Sequence, residues 1–270
     1  MKVALLHGYV GGPAGGGGGI RQMLELARGL DQLGHEPVIL GYQFEPGTID
    51  PQIERRFEFL AVERGKIHHP KSQLQIQRVK WRGMKQLADL IPADVDAVNV
   101  HEVPVYMAGA FAKRRLKVPV VWTRNDATLY EQLIMPEESW EPRPSKPLEL
   151  AYRFVGQSDR RAIRSLDAIC VLDQRNRRMV ERAFGRDAQV IQSGAAPRFF
   201  DAPSRAEARA RLGIDSDEFA VLSVGILLPH RRHQDTVKAI GLMPAEGRRT
   251  KLRLIGSDHF SPETGAELRA

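Results

Sequence analysis

The chain has a single cysteine, Cys170, in 270 residues, so no disulfide framework can form within it. Cys170 lies in the apolar run 168–172 and reads as a small buried hydrophobe in a protein of a reducing compartment. Long apolar runs are also lacking. The best candidate, 103–112, is too short to span a bilayer. The amino terminus has one lysine, a brief apolar run (3–6) and then glycines, which does not make a signal peptide. A cytoplasmic protein is expected. The eight histidines form no credible metal constellation: His68 and His69 are adjacent, and His230-x-x-His233 has no carboxylate or cysteine beside it. Neither a metal nor a cofactor is expected.

Two nucleotide signatures are missing as well. No Gly-Lys-Ser/Thr exists for a P-loop. The glycine-rich stretch 8–19 never takes the Gly-x-Gly-x-x-Gly spacing, and Leu40-Gly41-Tyr42 stands where an NAD enzyme places its ribose-binding carboxylate. Hydrophobic content of 42% and charged content of 27% are those of an ordinary globular protein with ample core. The net charge of +7 is spread along the chain. It suits phosphorylated ligands and leaves peripheral contact with an anionic membrane open. With no recognition motif beside it, nucleic acid is not an expected partner.

Strands alternate with helices from the start. Residues 3–7, 38–40, 97–100, 118–122, 168–172 and 189–191 read as strands. After the glycine loop, Met23, Ala27, Leu30 and Leu33 recur at helical spacing, with Gly34 as the stop. Residues 73–90 read as a basic helix with Lys80, Arg82 and Lys85 exposed. Residues 131–147, rich in proline and glutamate, read as a long surface loop. This βαβα rhythm implies a parallel sheet covered on both faces. A second unit begins after Pro197. Ser204-Arg205-Ala206-Glu207 has capping-box spacing for a helix ending near Gly213, then follow a buried strand 219–224, a helix 235–242, a strand 251–255, and a helix start at Ser261-Pro262.

Three strand ends carry chemistry. Residues 219–224 run into Gly225, then Pro229, His230, Arg231, Arg232 and His233. Cations just outside the carboxyl end of a parallel strand, beside a helix start, suit a diphosphate; the alternative is a solvated basic loop. His101 and Glu102 end the strand 97–100, where a histidine could hydrogen-bond an acceptor hydroxyl or simply serve the structure. Asn125 and Asp126 follow the strand 118–122. The run Gly15–Gly19 lies between strand and helix, where bare backbone can approach a phosphate or sugar, or form a loop without a ligand.

The stretch Ser223-Val224-Gly225 with Pro229 and Arg231-Arg232 resembles the donor loop of retaining GT-B glycosyltransferases of family 4, usually Ser-Val-Gly-Arg-Leu followed by proline and Lys-Gly. Residues 1–40 resemble that family's first unit, with Gly-Gly, then Leu-Glu-Leu-Ala-Arg-Gly-Leu ending at Gly-His-Glu. Residues 167–200 resemble the unit closing its first domain, with Ser193-Gly194 for Asn-Gly. The resemblance implies an α/β, GT-B-like fold: a doubly wound acceptor-side domain over 1–192, a hinge over 193–203, and an incomplete Rossmann-like nucleotide-sugar domain over 204–270. It implies that Gly17, Gly18, Gly225, His230 and Arg231 hold the donor, that His101 and Glu102 face the acceptor, and that protein cations replace a metal. Asn125 stands where the family often has a histidine against the transferred sugar. It cannot titrate, and Asp126 is the neighbouring catalytic candidate. Ile226 replaces the family's arginine, removing one of two cations that offset the leaving diphosphate.

The expected activity is transfer of a hexose from a nucleotide diphosphate sugar to a hydroxyl on a sugar or glycolipid acceptor, in bacterial glycan or glycolipid synthesis. The family's Glu-bearing motif, which holds donor ribose and sugar, does not occur here, so a fragment is one expectation. The rival is a non-catalytic remnant or a glycan-binding protein of the same fold, binding an anionic glycan through the basic helix.

Overall fold

Alternation of side chains along each strand sets the architecture. The computed structural model describes residues 1–11, 17–62, 73–135, 145–195, 200–243, 249–258 and 261–269. Gly15, Gly16, His68, His69, Pro136, Pro142, Pro144 and Pro197 lie outside them. The chain divides into two units, Met1–Gly194 and Ala195–Ala270.

The first unit holds β1 (Lys2–Val10), β2 (Glu36–Phe44), β3 (Glu58–Ala61), β4 (Ala97–His101), β5 (Val120–Arg124), β6 (Ala168–Val171) and β7 (Gln189–Val190). They form one parallel sheet in the order β3-β2-β1-β4-β5-β6-β7. The chain builds outward from β1 to β3, then returns to the other side of β1 with β4. The reversal between β1 and β4 is a topological switch point, and such sheets hold ligands outside the carboxyl ends of the strands there.

Ala4, Leu6, Val98, Val100, Val120 and Trp122 take one face and join the larger core. That face is covered by α3 (Gln73–Asp89), α4 (Tyr106–Leu116), α6 (Lys146–Ser165) and α7 (Gln174–Phe184). Val3, Leu5 and Ile39 take the other and meet Ile20, Met23, Leu24 and Ala27 of α1 (Gly18–Gln32). Each large apolar side chain so buried contributes about 1.5–3 kcal/mol relative to exposure. Gly34 ends α1 in the left-handed conformation (φ 78°), and Leu33, expected on the apolar stripe, is exposed beyond it. Among the described residues no helix is long and apolar enough to cross a membrane.

Several sequence expectations are corrected here. Strand β3 and the short helix α2 (Pro51–Arg56) were not anticipated. Residues 131–147 do not form a single loop: α5 (Leu129–Ile134) and the start of α6 occupy its ends. The signal for α5 is the capping box of Thr128 and Glu131. Lys80 is half-buried, 3.8 Å from the buried carboxylate of Asp159. Cys170 is only half-buried, because Ile169 and Val171 on either side take the core face.

In the second unit β8 (Glu218–Val224) and β9 (Arg249–Ile255) pair in parallel, with α8 (Arg205–Leu212), α9 (His233–Gly241) and α10 (Pro262–Arg269). The capping box of Ser204 and Glu207 starts α8, and Gly213 ends it at φ 61°. The strand expected to be buried is not: Leu222 is 60% and Val224 67% exposed. Two strands enclose little, and Leu227 is the unit's only buried apolar side chain among the described residues.

Candidate functional site

His7 and His101 lie one residue beyond Leu6 and Val100, the last paired positions of β1 and β4. Both therefore stand at the switch point. His101 is wholly buried, and among the described residues neither ring nitrogen has a hydrogen-bond partner. Burial, and then the neighbouring His7, push its pKa down to about 3, so the ring is neutral. His7 is also buried, its pKa pushed down to about 4 by burial. Its Nδ1 accepts the Tyr9 backbone N–H at 3.2 Å, which assigns the ring proton to Nε2.

Glu102 Oε2 lies 3.3 Å from that same Nδ1. A nitrogen already accepting has no proton to offer, so the carboxyl approaches best as the neutral acid. Burial, and next the charge of Asp126, raise its pKa to about 7, in keeping with that contact. Glu102 has a left-handed backbone (φ 70°), which costs a non-glycine residue about 1 kcal/mol and fixes where the carboxyl points.

The turn after β5 completes the cluster. Arg124 and Glu131 form a fully buried ion pair at 2.8 Å, and Arg124 also donates to Asn176 Oδ1 at 2.6 Å. This clamps the strand end just before Asn125, whose side-chain Oδ1 and Nδ2 are buried without partners among the described residues. A Cβ on Gly19 would lie 3.0 Å from Asn125 Nδ2 and 3.4 Å from His7 Nε2. The first turn of α1 thus packs directly on the cluster. Its cap, Gly17, makes no side-chain hydrogen bond and no acid occupies the first turn, so neither a cap side chain nor an acid offsets the positive helix end.

Gly17 and Gly18, read as donor-binding, have open space around them. The close-packed glycine is Gly19. Sequence reasoning named Gly19 only within the run Gly15–Gly19 and passed over His7; the available signal for His7 was its place at the end of an apolar run, directly before Gly8. His101, Glu102, Asn125 and Asp126 come together at one end of the sheet.

The second unit places its candidates at the end of β8. Gly225 donates its N–H to the Ile255 carbonyl at 2.9 Å. A 3-10 turn, Pro229–Arg231, follows and carries the backbone of His230. Arg231 is exposed and has no ion pair among the described residues. Arg232 is left-handed (φ 55°), as suits a residue at a glycine position, and pairs with Asp235 at 2.5 Å. His233, at the start of α9, is buried. Its Nδ1 sits 3.0 Å from Ser223 Oγ, and its Nε2, beside Gly225, has no partner among the described residues. Among the described residues no group of three or more His, Cys, Asp or Glu is placed to hold a metal ion.

A family model described as Glycosyltransferase Family 4 matches residues 16–198, more than half of the chain. The chain belongs to glycosyltransferase family 4. Solved structures share the fold of this family member. Anabaena HepE, in complex with UDP and glucose, matches with a TM-score of 0.62 and 16% identity over 100% of this chain and 65% of that one. Sucrose-phosphate synthase from Thermosynechococcus elongatus matches with a TM-score of 0.67 and 16% identity, over 99% and 65%. A glycosyltransferase from Rickettsia africae gives a TM-score of 0.63 and 13% identity, over 99% and 63%. At such identities the likeness is one of fold, here GT-B, and the chain spans about 65% of the length of the HepE structure. No curated protein sequence matches it.

Proposed function

We propose that this chain serves transfer of a hexose from a nucleotide diphosphate sugar to a hydroxyl of a sugar or glycolipid acceptor, in making a bacterial glycan or glycolipid. One observation carries the reading. At the switch point of a family 4 sheet, His101 and Asn125 hold four buried polar atoms with no partner among the described residues. Such atoms cost free energy unless a ligand or water satisfies them. Sugar hydroxyls, which both donate and accept, match that set.

In the reaction the bond from the anomeric carbon to the diphosphate oxygen breaks, a bond from that carbon to the acceptor oxygen forms, and the acceptor's proton departs. On this reading His101 and Glu102 orient the acceptor hydroxyl and Asn125 the transferred sugar, with Asp126 beside it. The deprotonated form of Glu102 is available to take up the hydroxyl proton, because its pKa is about 7. Gly17, Gly18 and the first N–H groups of α1 present a positive helix end to phosphate. Arg231, with Gly225 and His230 beside it, would meet the diphosphate and offset charge on the leaving group. UDP appears with a sugar in the HepE structure, which makes UDP-sugars the first donors to try. Peripheral contact with an anionic membrane belongs to the same reading, since a glycolipid acceptor would lie there.

Ile226, in place of a second cation, and the non-titrating Asn125 favour the other reading, a sugar-binding protein without turnover. Calorimetric titration with UDP-, GDP- and ADP-sugars, followed by a turnover assay, separates the two. Donor binding that weakens in His101→Ala or Arg231→Ala supports a nucleotide-sugar site. Absence of binding to any of the three sugars removes it.

A further inference from the structure

His233 is a buried imidazole to which the reading above gives no role. It opens α9, a helix of nine residues, and is only 4% exposed. A side chain so enclosed normally fills its space with carbon. One edge of this ring is tied to β8, with Nδ1 3.0 Å from Ser223 Oγ. The other edge is not tied. Among the described residues Nε2 has no hydrogen-bond partner. That edge faces Gly225, where a Cβ would stand 3.6 Å from Nε2 and 3.7 Å from Cε1. A side chain at 225 would therefore lie against the ring, and glycine keeps the edge clear of one. The backbone there is pinned. Gly225 donates its N–H to the Ile255 carbonyl and Leu227 donates to the Ser257 carbonyl, each at 2.9 Å.

We infer that His233 is a further donor-binding residue, its Nε2–H hydrogen-bonding an oxygen of the diphosphate at the end of β8. The inference rests on the nucleotide-sugar reading and adds to it a contact that carries no charge. A buried ring nitrogen without a partner costs free energy until something satisfies it. The crevice outside the carboxyl end of β8 is where that reading puts an anion. The hydroxyl of Ser223 can donate to Nδ1, which leaves the ring proton on Nε2 and makes that atom a donor. The surrounding charge agrees. Arg231 is exposed with no ion pair among the described residues, and Asp235, the acid in the first turn of α9, is held by Arg232 at 2.5 Å. The positive end of α9 is thus left to act on a ligand. Ile226 supplies no cation here; a directed N–H does not restore the charge but fixes where the phosphate oxygen sits. A ribose or base oxygen would also accept from Nε2–H, but a charged phosphate oxygen makes the stronger bond.

The test is calorimetric titration of the full chain with UDP, on wild type, His233→Phe and His233→Gln, with thermal melts to verify folding. Phenylalanine fills the space without a donor, whereas the glutamine amide keeps one. His233→Phe should weaken UDP binding about tenfold or more, the size of one hydrogen bond to a charged group, and His233→Gln should recover most of the loss. Imidazole ¹⁵N NMR of the wild type, which needs no variant to fold, should show Nε2 protonated and its signal moved by UDP. At saturation the ³¹P signals of bound UDP should differ between wild type and His233→Phe. Unchanged affinity in both variants would mean that only water meets Nε2, and would overturn the contact while leaving the nucleotide-sugar site standing. Equal losses in the two variants, with lowered Tm, would reduce the ring to packing. A ring protonated on Nδ1 alone in the UDP complex would overturn the inference, and unmoved ³¹P signals would shift the contact to the nucleoside and do the same. A wild type that binds neither UDP nor any of the three nucleotide sugars removes the underlying reading, and this contact with it.

Discussion

Glu102 and His7 are bound to each other through one nitrogen: Oε2 lies 3.3 Å from the Nδ1 that already accepts the Tyr9 N–H. The contact favours a protonated carboxyl, and the pKa of about 7 follows from burial and from Asp126. A folded-state pKa above the ordinary carboxyl value of 4.5 means that the folded chain keeps a proton the unfolded chain has lost. Stability is then full below about pH 4.5, falls as pH rises towards 7, and levels off above it. Glu102→Gln should therefore match wild type at low pH and exceed it above neutrality. With the side chain a third exposed, solvent screening limits the gain to roughly 1 kcal/mol. Denaturant melts across this range measure it, and a gain largest at low pH would refute the assignment.

The two histidines act in the opposite direction. Their folded pKa values, about 4 for His7 and about 3 for His101, lie below the ordinary 6.5. The unfolded chain takes up protons first as pH drops, so stability is present above 6.5 and is lost on acidification. By pH 5 each ring should cost on the order of 2 kcal/mol. His101→Gln should flatten this loss between pH 7 and 5, seen as a smaller shift in Tm than wild type shows. An unchanged slope would mean the ring is not buried as described.

Arg124 and Glu131 are 1% and 0% exposed, and the pair clamps the turn that carries Asn125. Removing one partner leaves the other charge buried and unmatched. Arg124→Ala should destabilise by about 3–5 kcal/mol, whereas an exposed pair such as Arg177 with Asp187 should contribute far less. Urea unfolding of Arg124→Ala and Arg177→Ala makes the comparison. Similar losses in the two would contradict the burial of the first pair.

Much of this was legible from the strand ends. His101, Glu102, Asn125 and Asp126 follow apolar runs, and in a parallel sheet the residues after such runs gather at one edge. What escaped the sequence depends on contacts distant in the chain. Glu131 looked like one glutamate in a proline-rich loop, because its partner Arg124 is hidden by the end of a strand. Gly19 looked equivalent to its neighbours, and only the packing of α1 on His7 and Asn125 sets it apart. The run 219–224 read as buried because it is apolar. Periodicity reports which residues would accept burial and not whether a partner covers them.

That last difference is measurable. Leu222 and Val224 in β8 are largely exposed, whereas Ala4, Leu5 and Leu6 in β1 are fully buried between two helical layers. Backbone amides of β8 and β9 should open and exchange with solvent well before those of β1. Equal, strong protection of both sheets in hydrogen exchange would refute this.

Arg231 and Arg232 adjoin in sequence and are predicted to respond in opposite ways. Arg231 has no acidic partner among the described residues, and on the proposed reading it contacts the diphosphate. Arg231→Ala should weaken nucleotide-sugar binding by roughly 1.5–3 kcal/mol, the range for a charge-assisted hydrogen bond, and leave Tm nearly unchanged. Arg232 has a left-handed backbone and spends its charge on Asp235. Arg232→Gly relieves the backbone, worth about 1 kcal/mol, and gives up an exposed ion pair worth less. It should raise or preserve stability and leave donor affinity within about twofold, since no charge-assisted bond to the donor is lost. Calorimetry with a UDP-sugar and thermal melts on both variants decide the matter. A larger affinity loss in Arg232→Gly than in Arg231→Ala would exchange the two roles, and donor binding indifferent to both would move the diphosphate away from the end of β8.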